Sequence, residues 1–451
     1  MRSITNKLHA FLIRLIILVL MLFMVSICLR AVTHIVLADR LGMDNAFTRL
    51  VLWDETKLRA NRNAADAVPD AWEPDATGVW EDSLTGRLKY IHRLYTNLVK
   101  RVTSTAETYA DQRLMLRIPI VESANRYEKL INWNLAGYLE YNNVIDLGEG
   151  YLTTFSNWTD VWGNAAAVQE FKEYLDTQGI PMVFVQLPNK ISRKDVHVNN
   201  VVDFYNSNAD RLMEQLRGYG VNTLDLRDSA EQLNLDYRSL FYNTDHHWRS
   251  ETGLWAAGVI GGELNRSFGF KIDPALFNPD SYTYEPYEKA FLGSLGKKVT
   301  LARATPDDFT LVYPNFDVSL TLKIPSINLD ATGGFDVIYD HSQLENKNLY
   351  ESNPYGMYLH SAFTDHGLIQ LQNNLSRGDT SKVLILGDSF GDVVIPFLGL
   401  QLGHIDFVDL RNYEGSLRDM IAAEGYDMVI ISYSSLFQVE YDSGKSMYDF
   451  R

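Results

Sequence analysis

The chain has 451 residues, 46% hydrophobic and 22% charged, with 41 Lys and Arg against 57 Asp and Glu for a net charge of −16. This composition is globular and supports a sizeable core, which excludes wholesale disorder and collagen-like structure; an acidic chain is also a poor general binder of nucleic acid. One cysteine, Cys28, excludes an intrachain disulfide framework, a multi-cysteine zinc site and a CxxC redox pair.

Charge is unevenly spread. Residues 1–40 carry Arg2, Lys7, Arg14, Arg30 and Arg40 against Asp39, a net +4, which leaves −20 for the remainder. Phe11–Leu29 is the most apolar stretch, interrupted only by Arg14 near its start. With Arg14 reaching back to the headgroups, it is long enough to span a bilayer. A cleaved signal peptide is the alternative, but the Cys28-Leu29-Arg30-Ala31 segment is too bulky and charged for a cleavage site. The expectation is a single-pass membrane anchor over residues 1–35, with a cytoplasmic N-terminus and the rest of the chain outside.

Residues 36–140 read as a helical juxtamembrane region. Leu84, Leu88, Ile91, Tyr95, Leu98 and Val102 recur at helical spacing, and Val68–Gly78, with Pro69, Pro74 and Gly78, reads as a loop. The pattern changes near Tyr141. Asn143–Leu152 reads as strand, glycine turn and strand. A helix follows over Ala165–Gln178, closed by Gly179. Ile180–Leu187 (IPMVFVQL) is an unbroken apolar run of the kind that suits a strand buried on both faces of a parallel sheet. A helix over Ala209–Tyr219 and a strand over Val221–Leu226 continue the alternation of a doubly wound α/β layer. Residues 268–377 interrupt it with a loop-rich β insert containing β-like pieces at Phe309–Tyr313 and Val318–Ile324. The rhythm resumes with a strand at Lys382–Leu386, a helix over Gly391–Leu402 kinked or delayed by Pro396, a strand at His404–Leu410, a helix over Ser416–Glu424 and a strand at Met428–Ser432.

Two segments carry candidate chemistry. Leu386-Gly387-Asp388-Ser389-Phe390 places a serine where a buried strand runs into a turn, at the carboxyl end where α/β proteins hold ligands. Its own N–H would face a nearby oxyanion. Taken by itself, Ser389 equally suits a helix N-cap. The second segment is Tyr242-Asn243-Thr244-Asp245-His246-His247-Trp248, ahead of a helix over Ser250–Leu264. An Asp and a His two residues apart can complete a serine relay in which His takes the proton and Asp fixes its tautomer. A metal reading of Asp245, His246 and His247 needs a further ligand, for which His360, Asp365 and His366 are candidates; no metal or cofactor is expected.

Together these segments resemble the SGNH-hydrolase superfamily, in its DHHW and alginate O-acetyltransferase-like branch. The matching pieces are Asn143-Val144 and Gly150-Tyr151-Leu152, Gln186-Leu187-Pro188-Asn189-Lys190, Thr244-Asp245-His246-His247-Trp248 and Gly387-Asp388-Ser389. Asp409-Leu410-Arg411-Asn412-Tyr413 matches more loosely. The order is rearranged, with TDHHW before GDS. The resemblance implies an SGNH-like domain over 141–451, with Ser389 as nucleophile, His247 as general base and Asp245 as its orienting partner; His246 is the rival base. The superfamily's further oxyanion donors, a Gly and an Asn, fall where this chain has Asp409–Asn412 and Ser432–Ser435, so Arg411 and Ser434 stand in their places. Lys190 reads as lining the cleft or as a solvated turn lysine.

The function so implied is a membrane-anchored, extracytoplasmic O-acetyltransferase of a polysaccharide, with the acyl group delivered by a separate multi-pass membrane protein. A carbohydrate esterase and a non-catalytic polysaccharide-binding protein are the rivals. The acidic body favours a neutral or weakly charged glycan; a uronate polymer would need a local basic cleft around Lys190 and Arg411.

Overall fold

The computed structural model describes residue 122 and residues 144–451, except 195–196, 199–200, 233–236, 363–364, 376–377 and 435–445. The anchor expected at 1–35 and nearly all of the helical region expected at 36–140 lie outside these residues. Among the described residues no helix is long and apolar enough to cross a membrane.

The centre is an eight-stranded sheet. In chain order its strands are β1 (Met182–Gln186), β2 (Asn222–Asp225), β3 (Leu320–Ile324), β4 (Leu329–Gly333), β5 (Leu368–Asn373), β6 (Asp379–Gly387), β7 (Leu402–Val408) and β8 (Met428–Tyr433). In space they run β4-β3-β5-β7-β6-β8-β1-β2. The β7-β6-β8-β1-β2 half is parallel. β5 joins β7 antiparallel and carries β3 and β4 outward.

The parallel strands are the apolar runs of the sequence, and their two faces feed two cores. Val183, Val185, Val383, Ile385 and Ile430 point to one. Met182, Phe184, Leu384, Leu386, Val429 and Ile431 point to the other. This two-sided burial is why the strands lack polar alternation. Helices α1 (Trp162–Gln178), α2 (Tyr205–Gly218) and α4 (Leu417–Glu424) cover one face through Phe171, Leu175, Leu212, Leu216 and Ile421. Helix α3 (Ser250–Phe268) covers the other through Leu254, Ala257, Ile260 and Leu264. At the end of α1, Gly179 takes the left-handed conformation (φ 71°), and the next amide, of Ile180, donates to Leu175 O at 3.0 Å. This Schellman closure turns the chain straight into β1.

One expectation is extended and one corrected. The β-rich insert 268–377 contributes β3, β4 and β5 to the central sheet itself. Its remaining hairpin, Tyr282–Phe291 with Asp307–Pro314, packs beside α3. The helix expected over Gly391–Leu402 is a 3-10 turn, Ser389–Val393, then a four-residue helix, Ile395–Leu398. Pro396 sits in the first turn of that helix, where its missing N–H costs least.

Candidate active site

β6 ends at Gly387, and Asp388 caps the turn that carries Ser389. The Asp388 carboxylate accepts from the Phe390 amide at 3.0 Å and the Ser434 amide at 2.7 Å. It thereby ties the turn after β6 to the end of β8. A side chain at Gly387 would run into the Phe407 ring on neighbouring β7, so the strand reaches this point as glycine.

The TDHHW segment is a loop pinned from several sides. Phe241 and Trp248 close it as an isolated bridge. The Trp248 indole N–H donates to Phe390 O at 3.0 Å, joining the two motif segments directly. From the hairpin, the buried Asp307 accepts from the Asn243 amide (2.8 Å), the Thr244 amide (2.7 Å) and the Thr244 hydroxyl (2.7 Å). Gly293 lies against Asp245 so closely that a Cβ there would collide with it.

Within this frame Asp245, His247 and Ser389 form one hydrogen-bonded chain. His247 Nδ1 lies 2.6 Å from Asp245 Oδ1, and His247 Nε2 lies 2.7 Å from Ser389 Oγ. An ionised carboxylate only accepts, so the proton sits on Nδ1 and the Nε2 lone pair faces the serine hydroxyl. Asp245 Oδ1 also accepts the His247 amide at 3.0 Å, and Oδ2 accepts the Ser294 amide at 2.5 Å. Burial raises the Asp245 pKa. The adjacent imidazoles and these hydrogen bonds outweigh it and hold the carboxyl well below the usual carboxylate range. Asp245 is buried, whereas Ser389 and His247 are partly exposed and open to a substrate.

His246, the rival base, turns to Ser294 instead of Ser389. Its Nδ1 is 3.2 Å from Ser294 Oγ and its ring lies 3.8 Å from that of His247, centre to centre. Desolvation and then the neighbouring His247 push its pKa down to about 3, so it stays neutral. Donor atoms of Asp245, His246 and His247 lie within 4.8 Å of one another. Both ring nitrogens of His247 are already engaged by Asp245 and Ser389, so a metal there would have to break the chain. His366 is turned elsewhere, to Ser326 Oγ at 2.8 Å and His360 O at 2.9 Å.

The remaining candidates take other positions. Lys190 neither lines a cleft nor meets solvent: it is 2% exposed, and its ammonium donates to the carbonyls of Tyr242 (2.6 Å), Asn243 (3.0 Å) and Asp245 (2.7 Å). It is thus an internal strut under the TDHHW loop. Burial pulls its pKa down to about 7 against the upward pull of Asp245 and Asp307. Arg411 forks onto Asp409, with Nε at 2.8 Å from Oδ1, and pairs with Asp365 at 3.0 Å. The Ser434 amide is committed to Asp388. The Arg411 guanidinium and the Ser434 N–H are thus both engaged by carboxylates.

Tyr355, inside the insert, had no distinguishing mark in the sequence. Its ring stacks on His247 (4.0 Å between centres, 15° between planes), and its hydroxyl donates to Ser389 O at 2.8 Å. Burial holds the phenol well above its ordinary pKa, so it remains a donor. Asn353-Pro354 before it signals a turn, but where that turn docks follows only from the tertiary fold. Asp307 and Ser294 were likewise silent.

Residues 152–307 match the family model of the SGNH hydrolase-like domain of acetyltransferase AlgX, a span that includes Asp245 and His247 and stops short of Ser389. No curated protein matches the chain. Among solved structures, PatB1 from Bacillus cereus is similar with a TM-score of 0.54 at 18% identity, covering 68% of this chain and 99% of that one. The same protein with a sulfonyl adduct gives 0.54 at 17% identity over 68% and 98%. A DHHW family protein from Eubacterium siraeum gives 0.49 at 16% identity over 65% and 90%. Residues 152–307 thus resemble that SGNH hydrolase-like domain, and the likeness to PatB1 shows the α/β fold with its mostly parallel sheet.

Proposed function

We propose that this protein is an O-acetyltransferase that acylates a polysaccharide through Ser389, acting outside the membrane from an N-terminal anchor. The observation that carries the chemistry is the hydrogen-bonded chain from Asp245 through His247 to Ser389. The acetyltransferase named in the matching family description supports the type of reaction.

In this reading His247 Nε2 takes the Ser389 proton as Oγ attacks the acyl carbonyl of the donor. The tetrahedral intermediate collapses, the donor's leaving group departs with the proton from His247, and an acyl–Ser389 ester remains. A sugar hydroxyl then attacks the ester carbonyl. His247 removes the hydroxyl's proton and returns it to Ser389 Oγ as the O-acyl glycan leaves. Asp245 stays ionised throughout and stabilises the imidazolium. The Ser389 N–H supplies one oxyanion donor. Tyr355 fixes the Ser389 backbone and supports the imidazole ring from one side. The acyl donor is presented by a separate multi-pass membrane protein.

The test uses the full-length protein with an activated acetyl ester, alongside Ser389→Ala. The variant is expected to lose at least about a thousandfold in turnover; equal turnover by both proteins would sink the role of Ser389. Oligosaccharide acceptors are then added and the products weighed by mass spectrometry. Acetylated glycan supports transfer, whereas free acetate with every acceptor identifies an esterase.

A further inference from the structure

The hairpin of the insert links the triad loop to a second feature. Side chains alternate along a strand, so Asp307, Phe309, Leu311 and Tyr313 share one face of it. Asp307 grips the Thr244 loop, and Phe309 packs on Tyr242 with rings 6.2 Å apart. Leu311 and Tyr313 continue outward and line a groove of about 450 Å³. Across the hairpin, Glu285 pairs with Leu311 and Tyr287 with Phe309, which brings Glu285 and Tyr287 to the same face. Pro314, Phe316 and Val318, and residues between Gly334 and His341, supply the rest of the lining. The volume lies within the range of small-molecule sites, about 300–1,000 Å³.

The lining combines two kinds of surface. Tyr287, Tyr313 and Phe316 are half-buried, so each shows part of a ring to the groove. Glu285 and Asp336 stand exposed at its edge; Glu285 accepts from the Tyr287 hydroxyl at 2.9 Å, and Asp336 pairs with His341 at 2.8 Å. The floor is stiff: Tyr339 is buried, donates to Val312 O at 2.6 Å and packs edge-on to Tyr358. Flat apolar rings bordered by carboxylate acceptors complement a sugar, which offers C–H faces to the rings and hydroxyl donors to the carboxylates. A lipid chain would have to desolvate the carboxylates. A uronate or phosphate polymer would be repelled by them, and by a body of charge −20. Nearer the triad, Lys190 and Arg411 are buried and committed.

We propose that this groove is a subsite for a neutral glycan, holding sugar units of the acceptor at a distance from the one being acylated. The proposal rests on the reading of the protein as an acyltransferase of polysaccharide and adds the class of polymer. Counted from Asp307, the lining begins at the Phe309–Tyr287 pair, two strand steps or about 7 Å along, and reaches Tyr313, six steps or about 20 Å along, so its far end lies well away from the triad loop. A polymer can reach both places at once, whereas a single sugar cannot. Binding at the groove would position the acceptor without touching the reacting atoms.

The experiment measures binding of soluble neutral glucan and galactomannan to the full-length protein by affinity electrophoresis, with alginate as the uronate control. Wild type and Ser389→Ala are expected to bind the neutral polymers equally. Tyr313→Ala, and separately Phe316→Ala, should each weaken binding about fivefold, while turnover of a small activated ester stays within about twofold of wild type. Ester turnover also verifies that the variants are folded. Absence of neutral-glycan binding, equal binding by both groove variants, or stronger binding of alginate would overturn the proposal. Undiminished ester turnover by Ser389→Ala would instead overturn the catalytic reading, and the binding comparison would still stand on its own.

Discussion

Asp245 and Asp388 flank the Ser389–His247 hydrogen bond, and burial pushes both toward the neutral acid. They end on opposite sides of the ordinary range. Asp245 receives His247 Nδ1, the His247 amide and the Ser294 amide, and stays a carboxylate. Asp388 receives two amides and feels Arg411, which is already engaged by Asp409 and Asp365; burial prevails and its pKa rises to about 6. The contrast teaches that the neighbouring imidazoles and the donors converging on a carboxylate, more than its depth, decide where it titrates. It also separates two tasks. Asp245 orients a proton acceptor, and Asp388 binds two chain segments together. Divergent environments for paired carboxyls are a common route to such division.

The contrast breaks most visibly at Asp245. An amide in its place presents an N–H₂ to His247 and favours the wrong tautomer, so Asp245→Asn should lower kcat/KM for an activated ester about a thousandfold. An unimpaired variant would mean that the carboxylate is only structural. Next in size is the strut beneath that loop. Lys190→Met leaves two buried carbonyls and one part-buried carbonyl without their donor and should cost about 3 kcal/mol of unfolding free energy in urea titration, with activity falling too because Asp245 O is among them. Unchanged stability would show that the loop holds itself.

The Asp388 side of the comparison is sharpened by pH. Its proton is held to about pH 6 in the folded state but only to about pH 4 when unfolded. Folded protein thus binds the proton more tightly, so this contribution to stability is complete below about pH 4 and is lost as pH rises through about 6. Compared with Asp388→Asn in urea unfolding, wild type should lose about 2–3 kcal/mol of relative stability between pH 4 and pH 7. A difference constant in pH would contradict the raised pKa. The smallest effect is expected where the two sides meet. Tyr355→Phe keeps the ring on His247 and removes only the bond to Ser389 O, a change worth about 1 kcal/mol or fivefold in turnover. No change would assign Tyr355 to packing alone.

Legibility from sequence followed the same physics. Strands β1, β6, β7 and β8 were readable because burial on both faces writes an unbroken apolar run between turn signals. Gly179, closing α1, was readable because caps are local: its left-handed turn lets the Ile180 amide reach Leu175 O at 3.0 Å. The Ser389–His247–Asp245 grouping was legible through the resemblance that the TDHHW and GDS segments carry, since Ser389 by itself suits an N-cap as well. The membership of β3–β5 in the central sheet was not. Leu320–Ile324 alternates buried and exposed positions, as any half-buried strand does, and nothing in that pattern names the sheet it joins. Lys190 was ambiguous for a related reason. A lysine after a strand end reads as solvated unless its carbonyl partners, some fifty residues on, are known. Tyr355 and Asp307 act through docking across long stretches of chain, and neither carries a local signature.

The insert supplies Asp307, Gly293, Ser294 and Tyr355, which grip the triad loop or the Ser389 backbone, and three strands of the sheet besides. It cannot then be exchanged between related proteins as a detachable cassette. A chimaera that imports another insert to change the acceptor would inherit a triad whose supports were cut to fit a different loop. Retargeting this scaffold calls instead for substitutions confined to the outward end of the hairpin, beyond Phe309, where the wall of the groove begins and the grip on the Thr244 loop has already ended.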